Sequence, residues 1–239
     1  MRARVAGLAL MLLASCGPAA TRRAAEPKPS RFPAAHRPVA PIVSSRFSTE
    51  EARDRIREAD TVMNRADIAK GMTVADIGAG EGYYTVRLAQ RVGKNGRVLA
   101  QDIVPAVRDT LAERVTREAL DNVSVKLGLP ADPKLPAASF DRILMVHMYH
   151  EIAAPYEFLW RLRPALRPGG RVVVVDADRP TSQHGTPPDL LDCEMKSVGY
   201  TRVGRTELAG ADAYLALYEA VGPRPEPEAI SSCTLMTPA

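Results

Sequence analysis

From residue 73 onward, five short apolar runs alternate with amphipathic stretches. The runs are Val74–Ile77, Arg97–Ile103, Val123–Leu127, Ser139–Val146 and Arg171–Asp176, each of strand length and bounded by turn residues. Tyr84–Val92, Pro105–Leu120, Tyr156–Leu166 and Asp189–Gly199 carry their apolar residues at helical spacing. Val172–Val175 is apolar at every position, as a parallel strand covered on both faces requires. Two β-type runs follow, Tyr200–Glu207 and Ala213–Ala220, across a Gly-Ala-Asp turn. Strands joined that tightly run antiparallel. The pattern predicts an α/β fold, a Rossmann-like doubly wound sheet closed by a hairpin.

On either side of this alternation the periodicity fades. Ser48-Thr-Glu-Glu51 resembles a helix start, and the segment to Ala69 has sparse apolar positions (Ile56, Val62, Met63, Ile68). It is expected to form one helix over the edge of the ligand site. Residues 16–46 are rich in Pro, Ala and Arg, and residues 221–239 in Pro and Glu. Both are read as disordered, leaving residues 47–220 as the folded domain.

Charge changes the picture only once it is divided. The formal net charge of 239 residues is +4, yet eight bases and one acid lie before residue 47. The remainder holds 24 basic and 27 acidic groups, a net of −3, without the basic excess of a nucleic-acid binder. Aromatic residues make up 5% of the chain, little for stacking on bases. Three cysteines (Cys16, Cys193, Cys233) form neither a disulfide framework nor a metal cluster, and no metal is expected. A Cys193–Cys233 bridge is open in an oxidising compartment, but the two are read as unrelated thiols.

Chemistry concentrates where the first strand ends. Asp76 precedes Gly78-Ala79-Gly80-Glu81-Gly82, and a helix follows. Glycines allow positive φ and close approach of a ligand, and the helix directs its free N–H groups and positive dipole end toward the same place. The spacing is Gly-x-Gly-x-Gly, not the Gly-x-Gly-x-x-Gly of dinucleotide sites, and a carboxylate here would repel a pyrophosphate. Asp102 ends the second strand, where an acid can accept both hydroxyls of a ribose. That feature alone suits adenosylmethionine and NAD equally.

Asp-x-Gly-x-Gly-x-Gly after a strand resembles the first motif of class I S-adenosylmethionine-dependent methyltransferases. Leu166-Arg-Pro-Gly-Gly-Arg171 and the terminal hairpin add to the likeness, which spans about Thr73–Ala220. The resemblance implies seven strands in the order 3-2-1-4-5-7-6, with strand 7 antiparallel. It also implies S-adenosylmethionine as cofactor, held by Asp76, Gly78, Ala79, Gly80, Gly82, Asp102 and Ile103. Gly128-Leu-Pro-Ala-Asp132 resembles the family's adenine-side loop, which gives Asp132 a role toward adenine, with a plain loop-forming Asp-Pro as the alternative. Beyond the fourth strand, His147, Tyr149 and His150 would stand beside the transferable methyl as catalytic candidates, with Glu151 next to them; walling of the pocket is the alternative role. Tyr149-His-Glu151 also resembles small proteins known only as predicted methyltransferases. The Asn-Pro-Pro-Tyr of nucleic-acid amino methylation does not occur here, which counts against a DNA substrate; no residue identifies the acceptor, and a small molecule is expected, with a protein as the alternative.

Residues 1–15 have a basic start and a ten-residue apolar run, Val5–Ala14, ending in Leu13-Ala14-Ser15-Cys16. This resembles the signal peptide and lipobox of bacterial lipoproteins. It implies lipidation at Cys16 and an outer-membrane anchor facing the periplasm of a Gram-negative cell; without export, the protein would be cytoplasmic. Two other readings stand beside the methyltransferase: a lipid-anchored, non-catalytic adenosyl-binding module, and an NAD-dependent oxidoreductase.

Overall fold

The computed structural model describes residues 30–42 and 49–234. Cys16 and the lipobox lie outside the described residues. Among those described, no helix is long and apolar enough to cross a membrane.

Seven strands form a single mixed sheet: β1 (Thr73–Ile77), β2 (Arg97–Asp102), β3 (Val123–Leu127), β4 (Phe140–Val146), β5 (Leu166–Asp176), β6 (Tyr200–Leu208) and β7 (Ala213–Ala220). Their order is β3-β2-β1-β4-β5-β7-β6, as expected. The first five pair in parallel, and β7 lies antiparallel between β5 and β6. β5 starts earlier than its valine run, pairing Leu166 with Phe140 before a register shift accommodates the Pro-Gly-Gly segment. Val172–Val175 are fully buried, each contributing about 1.5–3 kcal/mol of hydrophobic stabilisation.

Helices α1 (Glu50–Arg55) and α2 (Glu58–Arg65) precede the sheet, and α3 (Tyr83–Val92), α4 (Pro105–Arg117), α5 (Pro155–Leu162) and α6 (Pro188–Ser197) flank it. Each sheet face has its own core. Val62, Leu88 and Val173 belong to one, and Tyr149, Leu159, Val174 and Met195 to the other.

Four expectations are corrected. The helix before β1 is broken at Arg57, whose φ of 52° is left-handed. The break lets Arg53 of α1 fold back onto Glu58 of α2 (2.6 Å), an ion pair that one continuous helix would hold apart. Residues 30–42, assigned to a disordered linker, form a strap against the domain. Arg37 reaches Glu194 of α6 (2.9 Å) with both side chains fully buried, Thr181 donates to the Pro38 carbonyl, and the Ala40 N–H donates to the His150 carbonyl. The tail is ordered through Thr234. Trp160 donates its indole N–H to the Pro225 carbonyl, Cys233 N–H donates to the Tyr156 hydroxyl, and Cys233 is bridged to Cys193 of α6. The two cysteines are therefore partners, not separate thiols. Strap and tail also clasp each other through Arg31–Glu228 and a bridge between His36 and Thr234.

Candidate active site

β1, β2, β3 and β4 all end on one edge of the sheet, and a cavity of about 320 Å³ opens there. It lies where the chain, having wound outward from β1 to β3, returns to β4 on the other side. This is the switch point at which open α/β sheets bind ligands. Its wall is made by the Ile77–Glu81 turn, by Gln101, Asp102 and Ile103 at the end of β2, and by Val146, His147 and Met148 after β4.

The turn can lie so close because of its glycines. Gly78 has φ +66°, and a Cβ there would meet the Met148 side chain at 3.0 Å. Gly82 has φ +93°, and its Cβ would press on Leu111 of α4 at 2.6 Å. A larger residue at either place would meet both backbone strain and a neighbour.

Asp102 is where the sequence placed it, on the cavity wall. Its Oδ2 accepts from Gly80 N–H (3.1 Å) and its Oδ1 from Val104 N–H (2.9 Å), so one carboxylate fixes the turn and the β2 tip together. Each oxygen keeps a lone pair for a ligand. Asp76 departs from expectation. It does not line the cavity but is buried beneath the turn, where its Oδ2 accepts from Thr85 in the first turn of α3 (2.6 Å). Burial lifts its carboxyl to about 6 and the Asp102 charge adds to this, against the opposing Thr85 hydrogen bond and the Arg53 charge. Asp76 thus holds the turn to α3 from below.

Asp132 is also corrected. Only Pro130 of its loop reaches the cavity, and Asp132 caps its own turn through Lys134 N–H (2.8 Å) while pairing with Lys134 and Arg161. The bond to Lys134 N–H is local, as the loop-forming Asp-Pro alternative had it, and the fold adds the pairing with Arg161.

The catalytic candidates separate. His147 lines the cavity, held just past β4 with φ +53° by its N–H donating to the Val175 carbonyl. Tyr149 does not line it, being fully buried in the core with its hydroxyl donating to Glu194 (2.7 Å). His150 also turns away, its Nδ1 lying 3.0 and 3.1 Å from the two oxygens of buried Asp176. Glu151 returns to the cavity wall. The reason is the 3-10 turn at Tyr149–Glu151, which points successive side chains about a third of a turn apart.

Other site residues carry no motif. Glu50 and Arg53 of α1 line the cavity, so the segment before β1 reaches its edge. Arg53 stacks 3.9 Å over the ring of Tyr83, another wall residue. Glu58 gathers Arg53, the Tyr84 hydroxyl (3.0 Å) and His147 Nε2 (3.4 Å). Burial opposes its charge, yet His147 and Arg53 outweigh burial and hold the carboxyl down at about 2. Gln101 has a buried amide nitrogen without a hydrogen-bond partner among the described residues. Its position before Asp102 was the only available hint.

Residues 74–170 match the family model described as a methyltransferase domain. Nocamycin O-methyltransferase of Saccharothrix syringae is 37% identical over 118 residues, 48% of this chain and 41% of that one. The ubiquinone/menaquinone biosynthesis C-methyltransferase UbiE of Idiomarina loihiensis is 26% identical over 69% of this chain and 65% of its own. The chain spans about half the length of the curated relatives it matches. A crystal structure of a SAM-dependent methyltransferase from Aquifex aeolicus superposes with a TM-score of 0.64 at 23% identity, covering 70% of this chain and 91% of that one. Its strand order, its glycine turn at the head of the sheet and its match to the family model give this chain the class I S-adenosylmethionine-dependent methyltransferase fold.

Proposed function

We propose that the domain transfers a methyl group from S-adenosylmethionine to a small-molecule acceptor. The observation that carries this reading is the Asp102 carboxylate, set on the cavity wall at the β2 tip and braced against the glycine turn. The residues present fit the cofactor. Gly78 and Gly80 bring backbone to the cavity wall, Asp102 has lone pairs for ribose hydroxyls, and the Gln101 amide nitrogen is buried without a partner among the described residues. Ile103 and Pro130 supply apolar wall beside them. When bound, the cofactor's sulfonium supplies an electrophilic methyl. The protein's task is then alignment and exclusion of water.

Ile42 of the strap and Glu50 and Arg53 of α1 also line the cavity. A concave cleft of about 320 Å³ suits a compact acceptor better than a polymer. His147 is the group placed to take a proton from an acceptor hydroxyl, steered by Glu58, with Glu151 across the same wall. Tyr149 and His150 support the wall from behind. The relatives' names cover nocamycin, arsenite, quinone precursors and isoaspartyl protein, so the acceptor is not narrowed by likeness. The nicotinamide reading fails on the antiparallel β6–β7 closure, which a continuing parallel sheet would lack.

Calorimetric titration tests the assignment. Adenosylmethionine and adenosylhomocysteine should bind and NAD should not; the reverse preference overturns it. Asp102→Ala should weaken adenosylhomocysteine about 10–100-fold, and an unchanged dissociation constant removes Asp102 from the site.

We further propose that the chain is exported and anchored through Cys16 to the outer membrane, facing the periplasm. The lipobox-like Leu13–Cys16 motif supports this, as does the Cys193–Cys233 bridge, a linkage that persists in oxidising compartments. Labelled palmitate should enter the wild-type chain and not Cys16→Ser; incorporation into both contradicts the anchor.

A further inference from the structure

Behind the catalytic wall, His150, Glu151 and His184 each offer one ligand atom, and the three atoms lie within 4.8 Å of one another. They come from two segments far apart in sequence: the 3-10 turn after β4, and the residue closing the 3-10 turn Thr181–Gln183 after β5. The fold therefore assembles the group, and no His-x-x-His spacing signals it. The two imidazoles meet edge to face with centroids 5.4 Å apart. His184 is held in a left-handed conformation (φ 56°, ψ 53°) as it closes that turn.

Asp176 supplies an independent indication. It is fully buried at the end of β5 and accepts from Thr186 Oγ1 (2.7 Å) and Ala177 N–H (2.9 Å). Its carboxylate also faces His150 Nδ1. A carboxylate acceptor there keeps the proton on Nδ1 and leaves Nε2 as the lone-pair nitrogen. Carboxylate–histidine pairs of this kind commonly orient metal ligands.

We propose that His150, Glu151 and His184 form a site for one divalent transition ion of the zinc class, with Asp176 as a positioning residue. Two imidazoles and one carboxylate match the donor preference of zinc, cobalt(II) and iron(II), and would leave coordination positions for water or an acceptor heteroatom. Ligand atoms about 2.1 Å from one ion stand roughly 3–3.5 Å apart, so modest side-chain rotations close the set. Glu151 also lines the cavity, so the site adjoins the wall where the acceptor is expected. The site itself rests on these residues alone and stands whether or not methyl transfer occurs.

Cobalt(II) titration of the tag-free, chelator-stripped full chain, read by visible d–d absorption, tests it. One equivalent per chain should bind and be displaced by zinc. His184→Ala should abolish the spectrum, and Glu151→Gln and Asp176→Asn should each weaken binding about 10–100-fold with the near-ultraviolet circular dichroism retained. His36→Ala and His147→Ala should leave it unchanged. Failure of the wild type to bind, a retained spectrum in folded His184→Ala, unweakened binding in folded Glu151→Gln, or loss in His36→Ala or His147→Ala would overturn the site.

Discussion

Replacing Arg37 by Met removes the cation that fastens the strap to α6. In the wild type the guanidinium lies 2.9 Å from Glu194 Oε1 and donates to the Ile152 carbonyl, and Tyr149 donates to Glu194 Oε2. Burial disfavours the Arg37 charge, yet Glu194 outweighs it and raises the guanidinium pKa. Without that partner, a fully buried carboxylate keeps one tyrosine hydroxyl against its charge. Breaking a buried pair from one side costs about 3–5 kcal/mol. Methionine fills much of the volume, so the loss should come from the stranded charge and not from a cavity. Urea unfolding with the disulfide intact, followed by Trp160 fluorescence, measures it, since Trp160 touches both Phe32 of the strap and Pro225 of the tail. One signature separates this cause from general damage: Arg37→Met/Glu194→Gln should recover more than half of the deficit. A deficit under about 1 kcal/mol, or a double variant no better than the single one, would refute the reasoning.

Reducing the Cys193–Cys233 bridge, which closes a sequence separation of 40, should lower stability by up to about 4 kcal/mol and alter Trp160 emission as the tail detaches; an unchanged urea midpoint would count against the ordered tail. Asp76, held at about 6 in the folded state against an ordinary 3.8, binds its proton more tightly when folded. Its stabilising contribution is therefore complete below about pH 4 and lost as pH rises through 6, a difference of about 3 kcal/mol. Asp76→Asn should gain on the wild type across that window, and a flat difference between the two would remove the assignment. Gly82→Ala should cost about 1–3 kcal/mol, because φ +93° is strained for alanine and Leu111 Cδ1 blocks its Cβ; an unaltered melting temperature would show that the turn relaxes freely.

Local periodicity settled the sheet. Fully apolar Val172–Val175 had to be an interior parallel strand, and the Gly-Ala-Asp turn between two β-type runs had to make an antiparallel pair. Glycine spacing and a strand-end acid located the cavity for the same reason, since both are backbone demands within a few residues of each other. Side-chain direction was another matter. His147, Tyr149, His150 and Glu151 are nearly consecutive, and only the 3-10 turn after β4 sends Tyr149 to Glu194 and His150 to Asp176 while returning Glu151 to the cavity. Strap and tail read as unstructured because they lack apolar periodicity. Their order comes from partners over a hundred residues away in the case of Arg37–Glu194, and from the covalent link at Cys233. The His150–Glu151–His184 group follows the same rule: contacts between segments distant in sequence depend on how the sheet is wound, and one-dimensional spacing does not encode them.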